Sequence, residues 1–174
     1  MVANGAVLKL RTSEGDIFEV GKEAACMSTL IKNMVDDTGA IDDEIPLPNV
    51  NSAILSKVTE YCQYHKDEVT PKEIKKPLTS NNLLECGVSA WDVDYVDIDQ
   101  EVLFALILAA NYLDIKSLLD LTCAKVAAMI KGKTPEEVRT QFNIVNDFTP
   151  EEEASARHAN PWIREANHPT QSSM

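Results

Sequence analysis

One tetrapeptide occurs twice near the end of this chain and constrains local structure more tightly than any other feature. Thr134-Pro135-Glu136-Glu137 recurs as Thr149-Pro150-Glu151-Glu152. In each copy Thr suits the N-cap, Pro the first helical position and the second Glu the N3 position. The Thr hydroxyl can accept from the N3 amide while that Glu reaches back to the amide of the cap. The proline loses nothing, because an N–H at that position would have no helical partner. The Glu charges also face the positive end of the helix. Two short helices are therefore predicted, Thr134 to Phe142 and Thr149 to His158. Structure alone accounts for both motifs, so neither Thr nor Pro needs a regulatory role to explain it.

These helices carry little apolar surface. The first offers Val138 and Phe142, followed by Ile144 and Val145; the second is mostly Glu, Ala and Ser, flanked by Phe148, Trp162 and Ile163. A fully buried large side chain contributes roughly 1.5–3 kcal/mol, whereas ordering costs about 1–2 kcal/mol per residue. So few groups cannot close a core of their own, and the helices should gain order on an apolar partner helix. The preceding stretch, Ile115 to Ile130 with Gly132 ending it, reads as a helix. One stripe is Ile115, Leu119, Cys123, Val126 and Ile130; another is Leu118, Leu121, Lys125 and Met129. A surface helix on a small domain needs one stripe for its own core, so apolar groups on two sides imply burial from two directions, the second neighbour being either the C-terminal helices or another chain.

Upstream the chain mixes strands and helices. Val7 to Arg11 and Ile17 to Val20 alternate around the turn Ser13-Glu14-Gly15-Asp16 and predict a hairpin. Ser28 can cap a helix carrying Leu30, Ile31, Met34 and Val35; Asp36 to Glu44 is expected to be a loop, and Glu44 to Pro48 extended. A helix from Asn51 or Ser52 has the stripe Ile54, Leu55, Val58, Tyr61 and Cys62. Residues 67–90, with Pro71, Pro77 and Ser80-Asn81-Asn82, read as a flexible internal linker. Asp92 to Asp99 alternates acid and apolar residues and suits a one-faced extended segment, with Trp91 as a packing anchor. Asp99 is the expected cap of a helix with Val102, Leu103, Phe104, Leu106, Ile107 and Leu108, apolar almost all round and so expected at the centre.

Composition excludes several classes. The 174 residues suit one domain, or one with a small extension. The net charge of −12 repels phosphate backbones, which argues against nucleic-acid binding. The longest apolar run, Val102 to Ala110, is too short to span a bilayer, and the first residues lack the pattern of a secretory signal. Four scattered cysteines (Cys26, Cys62, Cys86 and Cys123) do not form a disulfide framework and predict a reducing compartment, cytoplasm or nucleus.

Catalytic motifs are missing. There is no phosphate-cradling glycine loop and no nucleophile elbow. Cys62 and His65 share a helical face, but two ligands do not make a metal site. The acidic run from Asp92 fails as a calcium loop, having Asp97 where Gly is required and Leu103 where a bidentate Glu is required. The expectation is a non-enzyme with no cofactor.

Long blocks then carry a resemblance. Ile107-Leu108-Ala109-Ala110-Asn111-Tyr112-Leu113-Asp114-Ile115-Lys116, Met129 to Glu137, Phe142-Asn143-Ile144 and Asn146-Asp147-Phe148-Thr149 closely resemble the S-phase kinase-associated protein 1 family. Ser13 to Val20, Pro46 to Asn51 and Tyr64-His65-Lys66-Asp67 agree with it as well. The resemblance covers roughly residues 7–162, apart from the linker. Members are adaptors in cullin–RING ubiquitin ligases of the SCF type.

The resemblance implies an α+β, BTB/POZ-type fold with a C-terminal helical extension. Its parts would be residues 1–66 and 91–131 as the BTB/POZ portion, 67–90 as the linker, and 132–174 as an F-box-binding extension with a flexible tail. It places cullin contact on Asn111 and Tyr112, and F-box contact on Leu119, Cys123, Val126, Ile130, Phe142, Phe148 and Trp162. In some protist members the proline of the Asn-Asp-Phe-Thr-Pro segment is hydroxylated and glycosylated, and Pro150 stands at that position. A homodimer of the free protein is a further expectation, since an unoccupied apolar surface finds a partner. The competing reading is another BTB-type scaffold, elongin-C-like or a kinetochore subunit. An elongin-C-like chain would lack residues 134–162.

Overall fold

The computed structural model describes residues 6–39, 44–67 and 73–161. The chain divides into two compact units, residues 1–128 and 129–174.

The first unit is built on a small sheet. Strands β1 (Val7–Arg11) and β2 (Ile17–Gly21) form the expected antiparallel hairpin, with Leu10 opposite Phe18. Leu8 and Leu10 point inward by simple alternation, which leaves Lys9 and Arg11 in water. A third strand, β3 (Glu44–Pro46), pairs parallel to β1, giving the order β2-β1-β3. The parallel pairing needs a crossover, and the chain between β2 and β3 contains helices α1 (Lys22–Ala25) and α2 (Thr29–Thr38). Pro46 is tolerated because β3 is an edge strand.

Helix α2 begins as expected: the Ser28 hydroxyl accepts from the Ile31 amide at 3.1 Å. It runs further than the sequence suggested. Asp36, Asp37 and Thr38 are helical, and the helix stops at Gly39, whose φ of 64° is the left-handed conformation that glycine adopts without strain. Residues 40–43 of the expected loop lie outside the described residues.

Helix α3 (Ser52–His65) is capped by Asn51 and buries Ile54, Leu55, Val58, Tyr61 and Cys62, the stripe read from the sequence. The segment from Asp92 corrects an expectation. It belongs to a helix, α4 (Ala90–Tyr95), capped by Ser89, and not to an extended strand. Two contacts outweigh the alternating pattern. His65 Nε2 lies 2.9 Å from Asp92 Oδ1, and Trp91 stacks on Tyr64 with centroids 3.8 Å apart. The Tyr95 hydroxyl completes the junction by donating to the Lys57 carbonyl at 2.7 Å. The expected linker is also corrected. Leu83, Cys86 and Val88 are buried, so the chain from Leu83 onward packs as part of the fold. Residues 68–72 are outside the described residues.

Helix α5 (Gln100–Tyr112) starts after Asp99, but the Asp99 side chain makes no capping hydrogen bond. Leu103, Leu106, Ala109 and Ala110 are buried against the core, with α3 a principal neighbour. The helix is not buried all round. Phe104 is 39% exposed and Leu108 70%. Helix α6 (Lys116–Ile130) follows after a tight turn and is stopped at Gly132, where φ is 76°.

In the second unit, α7 (Pro135–Gln141) and α8 (Pro150–Ala159) both begin with complete capping boxes from Thr134 and Thr149. Neither helix has a buried residue. Arg157 pairs with Glu136 at 2.8 Å and Arg139 with Glu153 at 3.3 Å, so the described contacts between them are largely polar.

The core of the first unit rests on a few large side chains. Leu106 and Leu118 have no accessible surface. Leu106→Ala is expected to cost about 2–5 kcal/mol, read as a lower denaturation midpoint with an unchanged slope in urea.

Candidate functional site: two exposed apolar surfaces

The turn between α5 and α6 places the first surface. Ser28, itself buried, donates its hydroxyl to the Leu113 carbonyl at 2.5 Å while capping α2. The Thr29 hydroxyl donates to the Asp114 carbonyl at 3.1 Å. Asp114 has φ of 52°, a left-handed turn that lets the chain reverse directly into α6. The start of α2 thus fixes the end of α5, where Asn111 is exposed and Tyr112 half-buried. Phe104, Leu108 and Asn111 are spaced by four and three residues, so they share one helical face. Sequence reasoning missed Phe104 and Leu108, because a helix apolar on every side carries no signal of which side stays wet.

The second surface lies on α6. Its buried residues are Leu118, Leu121, Thr122, Ala124 and Ala128. Thr122 is satisfied inside by donating to the Leu118 carbonyl at 2.9 Å. The other stripe is different. Ile115 is buried in the turn, but Leu119 and Val126 are half-buried, Cys123 is exposed and Ile130 is 40% exposed. The core therefore takes one side of α6 and leaves most of the second accessible.

The remaining expected positions are scattered in the second unit. Phe142 is half-buried and Phe148 is 53% exposed, with the Arg139 guanidinium 6.0 Å from the Phe148 ring. Ile144 and Val145 are exposed as well, at 53% and 81%. Pro150 is exposed at the first position of α8. Trp162 lies outside the described residues.

No cluster of three or more His, Cys, Asp or Glu side chains with metal-binding geometry occurs among the described residues. Cys62 and His65 are directed to other ends. Burial pushes the Cys62 thiol up to about 12, and His65 is engaged by Asp92. All four cysteines are free, and no helix among the described residues is long and apolar enough to cross a membrane.

The capping boxes have an electrostatic signature. The Thr134 amide donates to Glu137 at 2.7 Å and the Thr149 amide to Glu152 at 2.8 Å. These bonds, seconded by the Thr side chains, hold both carboxyls below the usual range. A carboxyl lowered in the folded state contributes stability above its ordinary value, and that contribution disappears as pH falls through the folded value. Acidification below the ordinary carboxylate range should therefore fray α7 and α8 before it unfolds α3 or α5. Amide hydrogen exchange across a pH series reads this order directly.

Comparison with known proteins gives these surfaces a context. Residues 6–67 match the Skp1 family tetramerisation domain and residues 116–163 the Skp1 family dimerisation domain. The chain is 58% identical to an S-phase kinase-associated protein 1 homolog of Tetrahymena thermophila, covering 91% of this chain and 95% of that protein. It is 51% identical to the SCF ubiquitin ligase complex protein SKP1a of Dictyostelium discoideum, over 92% and 97%. It is 53% identical to SKP1-like protein 1A of Arabidopsis thaliana, over 90% and 96%. The small sheet with its surrounding helices is accordingly a POZ, or BTB-like, domain in an α+β fold. The helix that the core leaves half covered falls within the second matched region, and with identity this high over nearly the whole length, the chain belongs to the Skp1 family.

Proposed function

We propose that the chain is an adaptor subunit of an SCF-type cullin–RING ubiquitin ligase, bridging a cullin to F-box substrate receptors. The observation that carries this reading is the second face of α6, which stays accessible although the fold has a filled core. An apolar helical face of this kind suits an amphipathic partner helix laid along it. We assign F-box contact to Leu119, Cys123, Val126 and Ile130 on α6, to Phe142 and Phe148 in the second unit, and to Trp162. Three of these, Cys123, Ile130 and Phe148, are exposed. The relatives named as SCF components support the assignment.

Cullin contact is assigned to Asn111 and Tyr112. Tyr112 combines an apolar ring with a polar tip, the type of group that anchors interfaces. Phe104 and Leu108 extend that patch along α5 and add apolar area to it. The chain acts by holding two partners together at high effective concentration, with no bond made or broken by its own residues. Its place is the cytoplasm and nucleus, a reading supported by the free cysteines. The exposed face of α6 also suits a homodimer when no receptor is bound.

Separate variants test the two surfaces. Val126→Asp should weaken an isolated F-box domain by about thirtyfold or more, corresponding to roughly 2 kcal/mol at a central contact, and should leave cullin binding intact. Tyr112→Lys should do the reverse. Loss of both partners from either variant, with unchanged circular dichroism, would contradict separate sites. Titration calorimetry with each purified partner decides it.

A further inference from the structure

The edge of the α6 stripe carries a charge that the stripe's use does not explain. Asp120 follows Leu119 directly and precedes Cys123 by three residues. It therefore borders the apolar stripe on the side where α6 turns toward the core residue Ala124. A carboxylate there is a poor neighbour for a docking helix, because closing water out of the edge would dehydrate it. Its partner comes from far away in sequence. Lys76 Nζ donates to Asp120 Oδ1 at 2.7 Å. The hydrogen bond to Asp120, with the charges of Asp120 and Glu73 beside it, raises the Lys76 ammonium above its ordinary range.

Lys76 is also held in place. It lies between Ile74 and Leu78, both half-buried against the core of the first unit. The segment thus has two apolar footholds, with the ammonium between them reaching Asp120. In the free protein the pair is open to water on both sides, 63% and 55% exposed. Exposed pairs of this kind add little to folding stability. When a partner excludes water the same pair counts for more, because the effective dielectric falls.

We propose that Lys76 is a positioning residue for partner docking: it neutralises Asp120 at the rim of the α6 stripe, so that an apolar F-box helix can dehydrate that rim. The inference rests on the reading of α6 as the F-box surface. It assigns a role to a segment that sequence reasoning treated as a linker, and it makes that segment a determinant of receptor affinity.

The test is calorimetric titration of an isolated F-box domain into the full chain at low and high salt. Lys76→Glu should weaken affinity about five- to tenfold at low salt, with less effect at high salt. The melting temperature of the free protein should be unchanged. The swap Lys76→Glu with Asp120→Lys should return affinity to within about twofold of wild type. If Lys76→Glu binds like wild type while Val126→Asp does not, the role of Lys76 is overturned and the docking surface stands. If Val126→Asp also binds like wild type, the docking surface falls and this inference falls with it. If Lys76→Glu weakens binding and the swap fails to restore it, Lys76 acts on the partner and not through Asp120, which also overturns the proposal.

Discussion

Helix α6 has more apolar surface than its own fold can cover. Leu118, Leu121, Ala124 and Ala128 fill the side that faces the core, and Thr122 satisfies its hydroxyl within the helix. Leu119, Cys123, Val126 and Ile130 are then left with incomplete cover. Water contact with that stripe is unfavourable by the same area rule that drives the core together. On the proposed reading, a partner helix would remove that stripe from water. The second unit has the same character. Its two helices begin with strong capping boxes yet bury no residue, so their beginnings are well specified and their packing is not.

The other surface depends on a polar clamp. The Ser28 hydroxyl accepts from the Ile31 amide and donates to the Leu113 carbonyl, so one buried group serves two helix ends. A buried hydroxyl with both roles filled costs little, whereas its loss would uncap the Ile31 amide and leave the Leu113 carbonyl only the longer bond from the Leu30 amide at 3.4 Å. The clamp sets where α5 stops, and Asn111, Tyr112, Leu108 and Phe104 are carried with it. The POZ domain therefore carries the α5 patch on a hydrogen-bonded turn, while the α6 stripe stays partly exposed.

Much of this was legible in the sequence, for identifiable reasons. The hairpin, the α3 stripe, the Ser28 cap and both capping boxes are local patterns, and local patterns survive folding intact. The double character of α6 was visible because periodicity reports how many faces are apolar. Periodicity does not report which face a fold will use, and so Phe104 and Leu108 were expected inside. The segment from Asp92 misled for a related reason. Its alternation suits a strand, but the Ser89 cap, the His65–Asp92 contact and the stack of Trp91 on Tyr64 are long-range or hidden in single residues. Likewise Leu83, Cys86 and Val88 sit among prolines and polar residues that suggest a loose linker, and only the tertiary core reveals their burial. The pairing of Lys76 with Asp120 could not be read from sequence at all, since the residues are far apart along the chain.

Bridging is the central claim, and the most direct measurement is light scattering on a size-exclusion column with purified cullin N-terminal domain, F-box domain and this chain. The account predicts a single peak with the mass of one copy of each, and no association of cullin with F-box domain when the chain is omitted. Mutually exclusive binding, in which adding the F-box domain displaces the cullin, would contradict it.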